Sequence, residues 1–190
     1  MIIGLSGYAR SGKDEAAKAL VEEYGFTRIA FADKLRQVLY SLNPMVSAWR
    51  QWDSEPGLVH VRDVIDRYGW NGYKETMYGD EIRGLLQRLG TEAGRQTLWD
   101  SIWIDAAFAG TDPNGNYVIT DVRFPNEAEA VRERNGSLWR ITREGVGPAN
   151  SHASEISLDD YPHFQQYLTN NGTIEEYHAK VKRALERWRY

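Results

Sequence analysis

Residues 2–24 leave this chain few folds to choose from. An apolar run, Ile2-Ile3-Gly4-Leu5, passes into Gly7-Tyr8-Ala9-Arg10-Ser11-Gly12-Lys13-Asp14. A helical pattern follows from Lys13 to about Tyr24, with Ala16, Ala17, Leu20 and Val21 on one face. Strand, glycine loop and helix in that order are the context that a G-x-x-x-x-G-K phosphate-binding loop demands. Polyphosphates are held by successive backbone N–H groups and by the positive end of the following helix. Gly7 and Gly12 allow close backbone approach, Ala9 and Ser11 supply loop amides, and Lys13 reaches the outer phosphates as a point charge. Arg10 adds a second cation. The final position, usually Ser or Thr, is Asp14. A carboxylate there can take a Mg²⁺ ion directly or through water. Without the metal it would repel phosphate. Nucleotide binding is therefore expected to depend strongly on Mg²⁺.

The rest of the chain reads as α/β. Short strands are expected at Phe26–Ala30, Tyr117–Thr120, Leu138–Thr142 and Phe164–Thr169. Helices are expected at Asp33–Leu42 (stripe Leu35, Val38, Leu39, Leu42), Leu58–Tyr68, Glu81–Leu89 and Asp100–Ala109. Asn126 with Glu129 reads as the cap of a further helix ended by Asn135-Gly136. Thr173 with Glu176 caps a last one, Ile174 to about Trp188, with Ile174, Tyr177, Val181, Leu185 and Trp188 inward. Residues 44–57, with Pro44, Pro56, Trp49 and Trp52 and no period, read as a loop or lid. Alternating strands and helices give a parallel sheet flanked by helices. The helical stretch at about 43–110 breaks that alternation as an insertion within one 190-residue domain, a natural place for a second substrate.

Composition narrows the function. A net charge of −4 argues against a duplex nucleic-acid binder. The absence of cysteine excludes disulfides, thiol chemistry and Cys-ligated zinc. No apolar run approaches the roughly 18 residues of a membrane span. No signal peptide is visible, so a cytoplasmic protein without membrane partner is expected.

Further candidate site residues follow from position. Asp121 closes the third strand, where phosphate-loop proteins place a second metal ligand, and Arg123 lies two residues on. The plain alternative for Asp121 is an ion pair with an arginine. Arg83, Gln87 and Thr91 share one polar helix stripe ended by Gly90, opposite Ile82, Leu85, Leu86 and Leu89. Such a stripe is usually a solvated face. Trp99 and Trp103 are four apart, a spacing more often found in a core than in a base-stacking platform. His152, in Ser151-His152-Ala153-Ser154-Glu155, reads as a loop hydrogen-bonder, since phosphoryl transfer needs little general-base chemistry.

These segments together resemble the bacteriophage deoxynucleoside monophosphate kinases. The likeness runs through Leu5-Ser6-Gly7, Arg10 to Asp14, Ala32-Asp33-Lys34-Leu35-Arg36, Arg83 to Thr91, Trp103, Asp121-Val122-Arg123, Thr142-Arg143-Glu144-Gly145, the His152 segment and Asn170 to Glu176. It implies the P-loop NTPase fold of nucleoside monophosphate kinases, with five parallel strands and a helical insertion for the monophosphate. It implies ATP + dNMP giving ADP + dNDP, with Mg²⁺ held by Asp14 and Asp121. Arg10, Lys13 and Arg123 would be catalytic, and Arg143 would pack on adenine. Lys34, Arg36, Arg83, Gln87, Gly90, Thr91, Trp103, Asp121 and Arg123 would face the monophosphate. A phage origin would place the protein in the host cytoplasm. Two other readings stay open: a kinase of a non-nucleotide phosphate, such as phosphomevalonate or dephospho-coenzyme A, and a nucleotide-binding module without turnover. A homodimer, the accepted bases and the sugar preference are open too.

Overall fold

The computed structural model describes residues 1–48, 57–148 and 156–189. Trp49 and Trp52 of the expected lid, and the segment with His152 and Glu155, lie outside the described residues. The chain divides into two compact units: residues 1–31 with 107–190, and residues 32–106.

The first unit is built on a five-stranded sheet: β1 (Ile2–Ser6), β2 (Thr27–Ile29), β5 (Tyr117–Ile119), β6 (Ser137–Thr142) and β7 (Gln166–Thr169). Their order is β2-β5-β1-β6-β7 and every pairing is parallel. Residues alternate between the two faces. Ile3, Leu5, Trp139 and Ile141 pack with α1 (Lys13–Tyr24) and α7 (Ile174–Arg189) in one core. On the other face Gly4 lies against Leu138, Val122 and Val131, the last from α6 (Pro125–Glu133); a Cβ on Gly4 would come within 2.8 Å of the Leu138 side chain.

The inward faces of three helices differ from expectation. In α1, Ala19 is buried and Val21 is exposed. In α7, Tyr177, Val181 and Leu185 are buried as expected, but Ile174 is exposed at the first position. Of the stripe on α2 (Phe31–Leu42) only Leu39 is fully buried, while Val38 and Leu42 are exposed. The expected cap of α6 is also corrected. The cap is Phe124 rather than Asn126, and Pro125, with its fixed φ, starts the helix two positions earlier. The buried Glu127 carboxylate then folds back onto the Arg123 and Phe124 amides at 2.8 and 3.1 Å. Glu129 instead pairs with Arg132 and accepts from the Tyr161 hydroxyl.

The second unit packs Leu39, Val46, Val61, Val64, Ile65, Tyr73 and Ile82 into its own core. Here the expected lid contains structure. β3 (Met45–Ala48) and β4 (Gly57–His60) form an antiparallel pair, so α3 (Val61–Gly72) starts later than its apolar pattern suggested. Strands this short carry too few residues to show a period. Gly69, at φ 68°, breaks the regular helix where the sequence reading ended it. Then α4 (Gly79–Arg88) does not stop at Gly90; it widens into a π-helical segment, Leu89–Gln96. The glycines there serve packing rather than termination. A Cβ on Gly90 would meet Leu35 at 3.1 Å, and one on Gly94 would meet the Trp103 ring at 2.7–2.9 Å. Trp103 lies in α5 (Ile102–Phe108).

Candidate active site

The loop between β1 and α1 has the backbone its sequence requires. Gly7 and Gly12 stand at φ 147° and 107°, and Arg10, a non-glycine, at φ 66°. A side chain at Gly7 would lie 2.3 Å from the Ile141 carbonyl oxygen. The Lys13 ammonium donates to the Gly7 and Tyr8 carbonyls at 2.6 and 2.7 Å, so it arches back over the loop. Ser11 is 1% exposed, and its Oγ has no hydrogen-bond partner among the described residues. A buried hydroxyl without a partner is costly.

A small cleft at the carboxyl ends of β1, β5 and β6 is lined by Ser6, Gly7, Ala9, Val122, Arg123, Arg140 and Leu158. It brings together three residues singled out from the sequence: Gly7, Ala9 and Arg123. Arg123 is exposed, and its backbone is fixed by the Glu127 carboxylate. Arg140 is a functional candidate that the sequence reading missed. Its guanidinium is nearly buried, pairs with Asp159, donates to Ser6 Oγ at 3.1 Å and lies over the Tyr8 ring at 5.0 Å. Burial, and then the Asp159 carboxylate, push the Tyr8 phenol above its ordinary value. An arginine inside the apolar run Leu138-Trp139-Arg140-Ile141 was the available signal, since charged side chains are almost never buried unpaired.

The two expected metal ligands have different surroundings. Asp14 is exposed in the first turn of α1, with no partner among the described residues. Asp121 is half-buried, and its Oδ1 accepts the Phe31 N–H at 2.9 Å, the first residue of α2. This carboxylate therefore also caps a helix start. No cluster of three or more His, Cys, Asp or Glu occurs among the described residues. Mg²⁺ commonly uses only one or two carboxylates together with waters and substrate phosphates. An unpartnered carboxylate beside a phosphate-type loop fits that chemistry. Arg143 is exposed just after β6.

The second unit holds the remaining candidates. Arg36 pairs with Asp33 at 3.5 Å and lies 5.9 Å from the Trp70 ring centre. Arg83 pairs with Asp80 at 3.7 Å. Both arginines act on one buried phenol: burial pushes Tyr73 up, while the Arg83 and Arg36 charges pull it down. Gln87 and Thr91 are exposed, and Lys34 reaches Gln37 at 3.3 Å. Trp103 stands apart from this surface. It is 7% exposed and its indole N–H donates to the Gly90 carbonyl at 2.9 Å, so its polar atom is used inside the unit. Trp99 is exposed and bonds Asp105.

A parallel sheet with a glycine loop after β1, an arching lysine and an arginine in the cleft at the strand ends defines a phosphate-loop nucleotide-binding protein. The family model for deoxynucleotide monophosphate kinase matches residues 65–181. The chain is 30% identical over 200 residues to a protein of Acanthamoeba polyphaga mimivirus that carries the same description provisionally, covering 95% of this chain and 94% of that one. It is 29% identical over 185 residues to the deoxynucleoside-5'-monophosphate kinase of Escherichia phage T5, covering 71% and 73%. Among solved structures, the shikimate kinase of Aquifex aeolicus aligns at a TM-score of 0.48 and 12% identity, over 98% of this chain and 97% of that one. This chain belongs to the deoxynucleotide monophosphate kinase family.

Proposed function

We propose that the protein transfers the γ-phosphoryl group of ATP to the phosphate of a deoxynucleoside monophosphate, and that its two units divide the work. An α-phosphate oxygen of the acceptor attacks the γ-phosphorus. The bond to the β–γ bridging oxygen breaks, ADP leaves and the acceptor becomes a diphosphate. No side chain is alkylated or phosphorylated, so catalysis is positioning and charge stabilisation.

The loop amides and Lys13 hold the β- and γ-phosphates. Arg10 and Arg123 stabilise charge on the group in transit. Arg143 packs on the adenine. Arg36 and Arg83 grip the acceptor phosphate, Lys34 adds charge nearby, and Gln87, Gly90 and Thr91 bound the acceptor. Asp14 and Asp121 would hold Mg²⁺, which when bound neutralises phosphate charge. The observation that carries this reading is the loop itself, with Gly7, Ala9 and Arg123 lining one cleft at the strand ends, in a chain of the kinase family.

The test is ADP release with a panel of dAMP, dGMP, dCMP, dTMP and their ribose counterparts. Turnover with one or more deoxynucleotides is expected. ATP binding without ADP release in the presence of any acceptor would make the protein a binding module. Release only when dephospho-coenzyme A or phosphomevalonate is added to the panel would move it to another kinase class.

A further inference from the structure

We infer that Asn170 and Tyr177 are positioning residues of the phosphate loop, and that they aim its last two amides at the nucleotide. Asn170 follows β7, and its Nδ2 donates to the Ser11 carbonyl at 3.1 Å. Tyr177 lies in the first part of α7, and its hydroxyl donates to the Gly12 carbonyl at 3.2 Å. The inference rests on the donor-site reading given above.

The C=O and N–H of a peptide unit point in opposite directions when it is planar and trans, and no described bond is cis. The Ser11 carbonyl shares its peptide with the Gly12 N–H. The Gly12 carbonyl shares its peptide with the Lys13 N–H. Holding these two carbonyls on the side of Asn170 and Tyr177 sends both N–H groups the other way. The Gly12 carbonyl also accepts the Ala16 N–H at 3.0 Å. The Lys13 N–H therefore lies in the first turn of α1, facing away from the Gly12 carbonyl.

Gly12 makes the brace necessary. Its φ of 107° is a conformation that favours glycine, and a Cβ there would lie 2.2 Å from Asn170 Nδ2. Glycine, however, readily exchanges between backbone wells. A flipped Ser11–Gly12 peptide would present its carbonyl oxygen to a polyanion. The asparagine's bond to the Ser11 carbonyl restricts the freedom glycine brings.

Both braces are themselves fixed. The Asn170 N–H donates to the Thr142 carbonyl at 2.8 Å, tying it to the end of β6. Tyr177 is 1% exposed in the core formed with Ala16, Leu20 and Val181. Neighbouring Asn171 accepts the Glu144 N–H at 2.8 Å, which joins the turn after β6 to the same junction.

The test measures ATP dissociation constants and steady-state KM and kcat for the native chain, Asn170→Asp, Asn170→Ala and Tyr177→Phe. Asn170→Asp keeps the shape but cannot donate when ionised; it is expected to weaken ATP binding about 10- to 100-fold, equivalent to one to two tenfold steps of 1.4 kcal/mol. Asn170→Ala should follow it, and Tyr177→Phe should cost about 3- to 10-fold while keeping the ring packing. The KM for the monophosphate should stay near native in all of them. ATP binding equal to native in Asn170→Asp and Tyr177→Phe overturns the inference. So does a joint loss in which ATP and monophosphate parameters and melting temperature worsen together, since that marks a merely structural role. Should Asn170→Asp fail to fold, Tyr177→Phe decides by the same criterion. If the native chain binds no ATP, the donor-site reading itself falls; if it binds and the variants match it, only the brace does.

Discussion

In the sheet unit, neighbouring side chains fix the backbone of the glycine loop and its surroundings. Asn170 and Tyr177 take two loop carbonyls, Glu127 takes the Arg123 amide, and Arg140 lies against Tyr8. In the helical unit, the candidate groups are long side chains on the surface. Arg36 and Arg83 are held by i,i+3 pairs to Asp33 and Asp80, and the Asp80 side chain is almost fully exposed. Pairs of that kind contribute little and yield easily. Under the proposed function, one unit would be preorganised for the phosphates of ATP, and the other would keep cations that settle on an arriving acceptor.

This contrast can be broken in order of expected effect. Lys13→Ala should lower kcat by about 10³-fold, since it removes a fixed charge on the group being transferred, with the melting temperature near native. Arg123→Ala should lower kcat by about 10²-fold; near-normal turnover would remove Arg123 from the chemistry. Chelating Mg²⁺ with EDTA should weaken ATP binding on the order of tenfold or more, because the Asp14 carboxylate is then left facing phosphate. Equal affinity with and without the metal would make Asp14 a bystander. Arg83→Ala should raise the monophosphate KM about tenfold and leave ATP binding and stability alone. A loss of stability without a KM change would return that stripe to a solvated face. Trp103→Phe, the smallest, should reduce stability by about 1 kcal/mol through the lost bond to Gly90, with KM unchanged in steady-state assays. A raised monophosphate KM at native stability would place the indole against substrate instead.

The parts that were legible in the sequence are those whose signal is contiguous. Gly7 to Asp14 is one uninterrupted word, and α1 follows it at the expected boundaries. The five strands of the sheet were visible as short apolar runs between turns, and the Thr173–Glu176 cap forms as its spacing implies. What stayed hidden is what the fold assembles from distant places. Asn170 meets Ser11 across 159 positions, and Arg140 meets Ser6 across 134. Nothing local marks such pairs. The hairpin at Met45–Ala48 and Gly57–His60 was too short to show alternation. Gly90 was misread as a stop because a glycine after a helical run usually is one; here its missing side chain admits Leu35.

The π-helical stretch at Leu89–Gln96 bears on how such a chain can change over time. A π turn holds one residue more than the α turn it replaces. Deleting a single residue there would tighten the coil without severing it, whereas the same deletion in α4 would throw Ile82 and its neighbours out of the core. Length differences among related chains should therefore gather at this segment. Each such deletion would also rotate Arg83 and Gln87 about the helix axis relative to Trp103. A one-residue change in length would then re-aim Arg83 and Gln87, the residues proposed to meet the acceptor, without a change in the strands of the sheet.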